Sequence, residues 1–157
     1  MKKYQVLLIM GCLFSAHAVF GQSFKSSYSK AIGVKLYPSA ITYKKFHKSN
    51  MAFEALGYFS LDGFRVTALN EKYMAIEGTE DLSWYVGYGG HLGIWGEKSN
   101  PNKIAGIALG VDGILGLEYK IKNAPLNVSV DWQPAFNFVG PSYFESGWAG
   151  IGVRYIF

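Results

Sequence analysis

Hydrophobic and polar residues alternate along most of the chain, and the stretch from Leu126 to Phe138 shows the pattern most clearly. It reads LNVSVDWQPAFNF. Every second residue from Leu126 is Leu, Val, Val, Trp, Pro, Phe and Phe, whereas the positions between them hold Asn, Ser, Asp, Gln, Ala and Asn. A period of two places successive side chains on opposite faces of a β-strand. The stretch is therefore predicted to be a strand with one apolar face and one polar face.

The same alternation, interrupted by turn residues, predicts eight strands along the chain. Their approximate ranges are 30–37, 40–46, 52–60, 64–75, 83–95, 105–121, 126–138 and 147–157. The connections are short, and the longest are the polar segment 97–103 and the segment 139–146. Sequential strands with short connections favour an all-β fold, an eight-stranded antiparallel up-and-down β-barrel.

Alternation alone does not say which face lines the interior of the barrel. A soluble, lipocalin-like barrel would bury the apolar face as a core or as a cavity for a hydrophobic ligand. A transmembrane β-barrel turns its apolar face to lipid and its polar face to the lumen. Many of the 19 glycines lie on the polar faces, and small residues suit a narrow lumen. The transmembrane arrangement is therefore favoured, with the apolar face towards lipid.

The charges on the predicted polar faces are balanced, five against five. They are Lys35, Lys44, Arg65, Lys120 and Arg154 against Glu54, Glu71, Asp112, Glu118 and Asp131. Balanced charges favour ion pairs inside a closed barrel. The expected lumen ion-pair network consists of Lys35, Arg65, Asp112, Glu118, Lys120, Asp131 and Arg154. Because eight strands leave an interior just wide enough for side chains, we expect this network to fill the lumen instead of lining an open pore.

The N-terminus has two lysines, an apolar run over residues 6–14 and then small residues, which predicts a cleaved secretory signal peptide. Cleavage after Ala18 or before Gln22 fits, and the second site is favoured, so residues 1–21 are the signal peptide and residues 22–157 the barrel domain. The alternative interpretation is a lipoprotein signal that ends in Ile9-Met10-Gly11-Cys12. Removing Lys2 and Lys3 lowers the net charge from +4 to +2. The sequence has no cluster of lysine or arginine residues on a helix, so its charge pattern does not indicate nucleic-acid binding.

The stretch GWAGIGVRYIF at residues 147–157 resembles the C-terminal signal strand that outer-membrane barrels present to the barrel-assembly machinery, with Gly152, Tyr155 and Phe157 as the signal residues. Together with AIGVKLYPSAITYKKF, VDGILGLEYKI and PLNVSVDWQPAFNF, it resembles small eight-stranded outer-membrane β-barrel proteins of the OmpX/OmpA-barrel kind, most of all those of Bacteroidota. The resemblance implies a bacterial outer-membrane location, contact with membrane lipid and lipopolysaccharide, and insertion by the barrel-assembly machinery. We also expect a monomer that has no cofactor.

His47 and Ser49, with Glu54 nearby, resemble the His-x-Ser arrangement of outer-membrane lipid A deacylases, in which the serine is the nucleophile and the histidine the base. The simpler interpretation is a turn, because Ser-Asn is ordinary turn chemistry. His91 on the lumen face has no clustered partners in the sequence, so we expect it to be hydrogen-bonded and not to bind a metal.

The N-terminus is expected on the periplasmic side, which places the longest connections outside the cell. The loops 97–103 and 141–145 are then the expected sites of partner recognition, with aromatic residues at Tyr143 and Phe144. We expect a non-enzymatic, integral outer-membrane barrel with a structural or surface-interaction role. The alternatives are a lipid A deacylase-like enzyme, a narrow passage for small solutes, and a soluble lipocalin-like binder of hydrophobic ligands.

Overall fold

The computed structural model describes residues 24–61, 63–96, 106–140 and 144–157. The predicted signal peptide, Cys12 and the 97–103 segment lie outside the described residues. The strands are β1 (Lys30–Leu36), β2 (Ala40–Lys48), β3 (Met51–Ser60), β4 (Gly63–Ala75), β5 (Leu82–Trp95), β6 (Gly106–Lys120), β7 (Leu126–Val139) and β8 (Phe144–Ile156). None of the described residues forms a helix long and apolar enough to cross a membrane.

Seven of the strands begin and end within two residues of the positions predicted from the sequence, whereas β8 begins three residues earlier than predicted. The predicted loop 139–146 is shorter because Phe144 and Glu145 already pair with Phe136 and Ala135 of β7. A register shift between Gln133 and Ala135 accommodates this extension of β8. A β-bulge re-aims side chains where it occurs, and here Glu145 contacts residues of the lumen.

The eight strands form one closed antiparallel barrel in sequence order. The first and last strands meet at a seam, where Ala31 lies opposite Ile156 and Lys35 lies opposite Gly152. Each strand therefore has a hydrogen-bonded neighbour on both sides. A closed barrel leaves no sheet edge with unpaired N–H and C=O groups.

The two faces of the strands are arranged as the transmembrane interpretation predicts. Along β7, Val130 and Trp132 point outwards and are 56% and 46% exposed, whereas Asn127 and Gln133 point inwards and are fully buried. The same division holds for most positions around the barrel, although Leu56, Leu69 and Ile114 also lie inside among the polar side chains. This is the opposite of what the soluble, lipocalin-like alternative requires.

Glycine makes room for larger side chains inside the barrel. A Cβ atom at Gly116 would lie 2.5 Å from Tyr85 Oη, and one at Gly152 would lie 2.5 Å from Ser129 Oγ. Both positions therefore lack a side chain where a neighbouring strand supplies one. The glycine-rich polar faces predicted from the sequence are explained by this packing.

Candidate functional site

The candidate site is the polar lumen, which contains two groups of charged side chains. The first, here called the terminal-end cluster, lies near the end of the barrel that holds residues 24–30 and Phe157. It consists of Lys44, Glu54, Glu71, Glu118 and Arg154. Arg154 Nη2 lies 2.6 Å from Glu54 Oε1, and Lys44 Nζ lies 2.8 Å from Glu71 Oε2. Lys44 also lies 3.4 Å from Glu54, and Arg154 lies 3.9 Å from Glu118.

Two tyrosine rings cover the terminal-end cluster from inside the lumen. The rings of Tyr73 and Tyr85 stack with their centroids 5.0 Å apart, and Lys44 Nζ lies 4.5 Å from the centroid of Tyr85. Tyr73 Oη donates to Glu118 Oε2 at 3.1 Å, while Tyr85 Oη donates to Asp131 at 3.1 Å. The aromatic faces and phenol groups thus stabilise charged side chains that are buried away from water.

The residues before β1 fold back over this end of the barrel. The segment 24–29, here called the mouth segment, places the Phe24 ring 5.4 Å from that of Tyr73 and the Tyr28 ring 5.2 Å from that of Phe46. Tyr28 Oη donates to Glu118 Oε1 at 2.5 Å. Burial, and then the Glu118 carboxylate, raise the pKa of Tyr28 above its ordinary value. The phenol therefore remains a donor, and the mouth segment covers the terminal end of the lumen.

The second group, the loop-end cluster, consists of Arg65, His91, Asp112, Asn137 and Glu145. His91 Nδ1 lies 2.7 Å from Asp112 Oδ2, and His91 Nε2 lies 2.7 Å from Asn137 Oδ1. Arg65 pairs with Asp112, and its Nη1 atom donates to Glu145 Oε2 at 3.0 Å. Asn137 Nδ2 donates to Glu145 Oε1 at 2.8 Å. Glu145 near the start of β8 is therefore held by β4 and β7.

Hydrogen bonds and an ion pair in the middle of the lumen link the loop-end cluster to Asp131, which also accepts a hydrogen bond from Tyr85. Lys35 pairs with Asp131 and donates to Gln133 Oε1 at 3.3 Å. Tyr58 Oη donates to the same oxygen at 2.7 Å, while Gln133 Nε2 donates to Asp112 Oδ1 at 3.0 Å. The lumen is thus occupied along its length by side chains that bind one another.

The structure brings six of the seven network residues predicted from the sequence into ion pairs, namely Lys35, Arg65, Asp112, Glu118, Asp131 and Arg154. Lys120 differs, because it is the last residue of β6 and is only half-buried beside the mouth segment. The ion pairs found among the described residues do not include it. The alternation predicted that Lys120 faces the lumen. It did not predict that this residue lies at the end of the barrel, away from the ion pairs.

Other lumen residues were missed by the sequence analysis. Tyr73 and Tyr85 lie inside the lumen, although neither was included in the expected network. Tyr73 has the same alternation phase as Glu71, and Tyr85 has the same phase as His91, so the period of two could have identified both. The mouth segment gave no such signal, because it precedes the first alternating stretch.

The residues that resemble a deacylase triad do not meet. Glu54 is fully buried in the lumen and binds Arg154, whereas His47 and Ser49 are exposed at the β2–β3 turn. Ser49 accepts a backbone hydrogen bond from Ser26 of the mouth segment at 2.9 Å. Among the described residues, no group of three His, Cys, Asp or Glu side chains is arranged to hold a metal ion.

The three residues of the predicted assembly signal lie at the seam. Tyr155 and Phe157 are about half exposed on the outer wall, with ring centroids 6.2 Å apart. Gly152 faces the lumen beside Ser129 and Arg154. The role of the three residues in assembly stays a prediction, and Gly152 has a packing role of its own.

No protein-family model matches the sequence, and no curated protein matches it. Among solved structures, the N-terminal β-barrel domain of Pseudomonas aeruginosa OprF is similar, with a TM-score of 0.61 and 13% sequence identity over 82% of this chain and 95% of that domain. The chain has the barrel fold of that domain. Because the OprF domain comes from Pseudomonas, the expected similarity to Bacteroidota proteins stays a prediction.

Proposed function

We propose that the chain is an integral protein of the bacterial outer membrane, monomeric and non-enzymatic, with a structural or surface-interaction role through its external loops. The observation that carries the proposal is the apolar outer wall around a buried polar lumen. Side chains such as Ile32, Leu115 and Val130 are 47–56% exposed, whereas Lys35, Arg65 and Arg154 are 1% exposed. This distribution is stable where hydrocarbon surrounds the barrel and is unfavourable in water.

The filled lumen supports a structural role over transport. Charged side chains that bind one another occupy the lumen at Arg154, Lys35 and Arg65. We therefore expect planar bilayers containing the folded protein to show background conductance. A steady, reproducible single-channel current would contradict this and favour the narrow-passage alternative.

The membrane proposal is tested by electrophoresis of the membrane fraction in SDS, with and without boiling. A closed transmembrane barrel resists SDS until it is heated, so the unboiled band is expected to run faster than the boiled one. The matched control is a chain that stops after Gly140, which lacks β8 and cannot close. A full-length protein with no shift, or one released from membranes by carbonate, would contradict the proposal.

The orientation is tested by inserting a short epitope at one of two places. Ser99 lies between β5 and β6, and Thr79 lies in the turn between β4 and β5 at the opposite end of the barrel. We expect antibody to label intact cells with the epitope at Ser99, and cells with the epitope at Thr79 only after the outer membrane is permeabilised. The reverse result would place the long connection in the periplasm and remove the proposed surface role.

A further inference from the structure

Four lysines lie together on the outer wall near the terminal end of the barrel. They are Lys30, Lys45, Lys48 and Lys72, and they are here called the lysine patch. Lys30 is opposite Lys45 across the β1–β2 pair. Lys48 of β2 and Lys72 of β4 both lie opposite Met51, one on each side of β3. The patch therefore spans four adjacent strands.

Lys30, Lys45 and Lys72 continue the apolar wall, and Lys48 is the last residue of β2, next to the turn. Lys30 has the same alternation phase as Ile32, and Lys45 has the same phase as Tyr43, both of which are exposed outside the barrel. Phe53 lies opposite Lys45 on the same face. A lysine at the edge of an apolar wall keeps its aliphatic stem on that wall and extends its ammonium group to the polar layer of the membrane.

Among the described residues, the basic charge of the outer wall lies at one end of the barrel. The exposed acidic residues at this end, Glu77 and Glu80, are in the β4–β5 turn, and the half-buried Asp81 beside them lies 3.3 Å from Lys122. At the opposite end, the described residues on the outer wall include no lysine or arginine, since Lys35 and Arg65 are buried in the lumen. The outer wall is thus basic at the terminal end and apolar or aromatic at the other.

We infer that the lysine patch binds the phosphate groups of anionic phospholipids in the leaflet that surrounds the terminal end of the barrel. The inference rests on the proposed function, because it requires the apolar wall to be in a bilayer. Phospholipid is favoured over a protein partner because the lysines adjoin the lipid-facing wall, where headgroups are the first polar groups that they meet. It is favoured over lipopolysaccharide because the terminal end is the proposed periplasmic end.

The test compares two double variants of equal charge, each folded in detergent and checked for the SDS mobility shift. K45Q/K48Q removes half of the patch, and K98Q/K103Q removes two lysines from the segment between β5 and β6. Native mass spectrometry measures retention of dioleoylphosphatidylglycerol relative to dioleoylphosphatidylcholine. We expect the wild type and K98Q/K103Q to retain the anionic lipid in preference to phosphatidylcholine. For K45Q/K48Q, we expect the ratio of retained anionic lipid to retained phosphatidylcholine to be about tenfold lower.

Two results would overturn the inference while leaving the barrel proposal intact. One is an equal preference for phosphatidylglycerol in all three proteins when each shows the mobility shift. The other is retention of purified lipid A, but not of phosphatidylglycerol, in a manner that K45Q/K48Q abolishes. Absence of the mobility shift in the wild type would instead overturn the barrel proposal itself, which separates the two failures.

Discussion

Arg154 on β8 and Glu54 on β3 face each other across the lumen, with Nη2 of the arginine 2.6 Å from Oε1 of the glutamate. Two strands, β1 and β2, separate them around the wall. Both side chains are buried, so the pair joins distant parts of the barrel from the inside. Removal of one partner from such a pair leaves an uncompensated charge, which costs much more than the pair contributes.

We expect Arg154→Met to lower the free energy of unfolding by about 3–5 kcal/mol because Glu54 loses its nearest cation. The double variant R154M/E54Q should recover part of this loss because the unpaired charge is removed as well. Urea unfolding of the folded barrel, followed by tryptophan fluorescence, measures both values. A cost below about 1 kcal/mol for Arg154→Met would show that water or another cation compensates Glu54.

The packing of Gly116 against Tyr85 gives a second prediction. An alanine at position 116 would displace the Tyr85 ring, which stacks on Tyr73 and donates to Asp131. We expect Gly116→Ala to destabilise the barrel by about 1–3 kcal/mol. Gly57→Ala is the control, since its Cβ would lie 3.5 Å from the Phe59 ring in ordinary contact. Equal unfolding midpoints for the two variants would contradict the packing argument.

A third prediction distinguishes a lipid-facing wall from a water-facing one. Leu115 lies on the outer wall between Val86 and Trp132, in the middle of β6. We expect Leu115→Arg to cost about 2–4 kcal/mol in phospholipid vesicles, the penalty for arginine near the bilayer midplane. Leu61→Arg, in the fully exposed β3–β4 turn, is the same chemical change and should cost almost nothing. Similar unfolding curves for the two variants would argue against a bilayer around Leu115.

The contact of Tyr28 with Glu118 predicts a dependence on alkaline pH. Because folding raises the pKa of Tyr28, the folded barrel retains this proton above about pH 10, where an unfolded tyrosine loses it. The contribution of Tyr28 to stability is therefore complete below about pH 10 and decreases as the pH rises further. Tyr28→Phe should cost about 1–3 kcal/mol at neutral pH.

The measurement for Tyr28 is the difference in unfolding free energy between the wild type and Tyr28→Phe at about pH 8 and about pH 11. The difference should shrink at the higher pH, while the other buried tyrosines cancel in the comparison. A difference that is the same at both pH values, or one that grows with pH, would show that the phenol is not buried against the carboxylate.

Glu145 gives a local prediction, because its partners Arg65 and Asn137 hold the start of β8 against the loop-end cluster. Its side chain is 23% exposed, so we expect Glu145→Gln to cost only about 0.5–1 kcal/mol globally. Hydrogen exchange at residues 144–146 should accelerate, while exchange at the seam should not. Glu80→Gln, in the exposed β4–β5 turn, is the control. Unchanged exchange at 144–146 would show that backbone pairing alone holds this end of β8.

The number of strands, their approximate ends and their faces could be predicted from the sequence, because a period of two reports directly on a pleated backbone. The pairing inside the lumen could not. Alternation places Lys44 and Glu54 on the inner face, but it does not say that Lys44 also reaches Glu71 of β4. Those contacts depend on the closure, tilt and stagger of the strands, which no local pattern encodes.

The sequence analysis also did not identify which aromatic side chains lie inside the barrel. Trp132 and Tyr155 are outside as predicted, but Tyr73 and Tyr85 are inside, because a lumen crossed by glycines needs large side chains to fill the space that the glycines leave. Phe24 and Tyr28 lie over the same end without belonging to any strand. Their position follows from the tertiary packing and not from propensity.

The seam between β1 and β8 imposes an order on the folding of each molecule, because it can form only late. Ala31 can meet Ile156 only after almost the whole chain has become available, so the barrel wall cannot be completed progressively from one end. Until then both outer strands present unpaired hydrogen-bonding edges next to an apolar wall, which is the form most prone to joining another chain. Copies of the chain must therefore be kept apart from one another until the barrel closes, and the need ends when the last strand is in place.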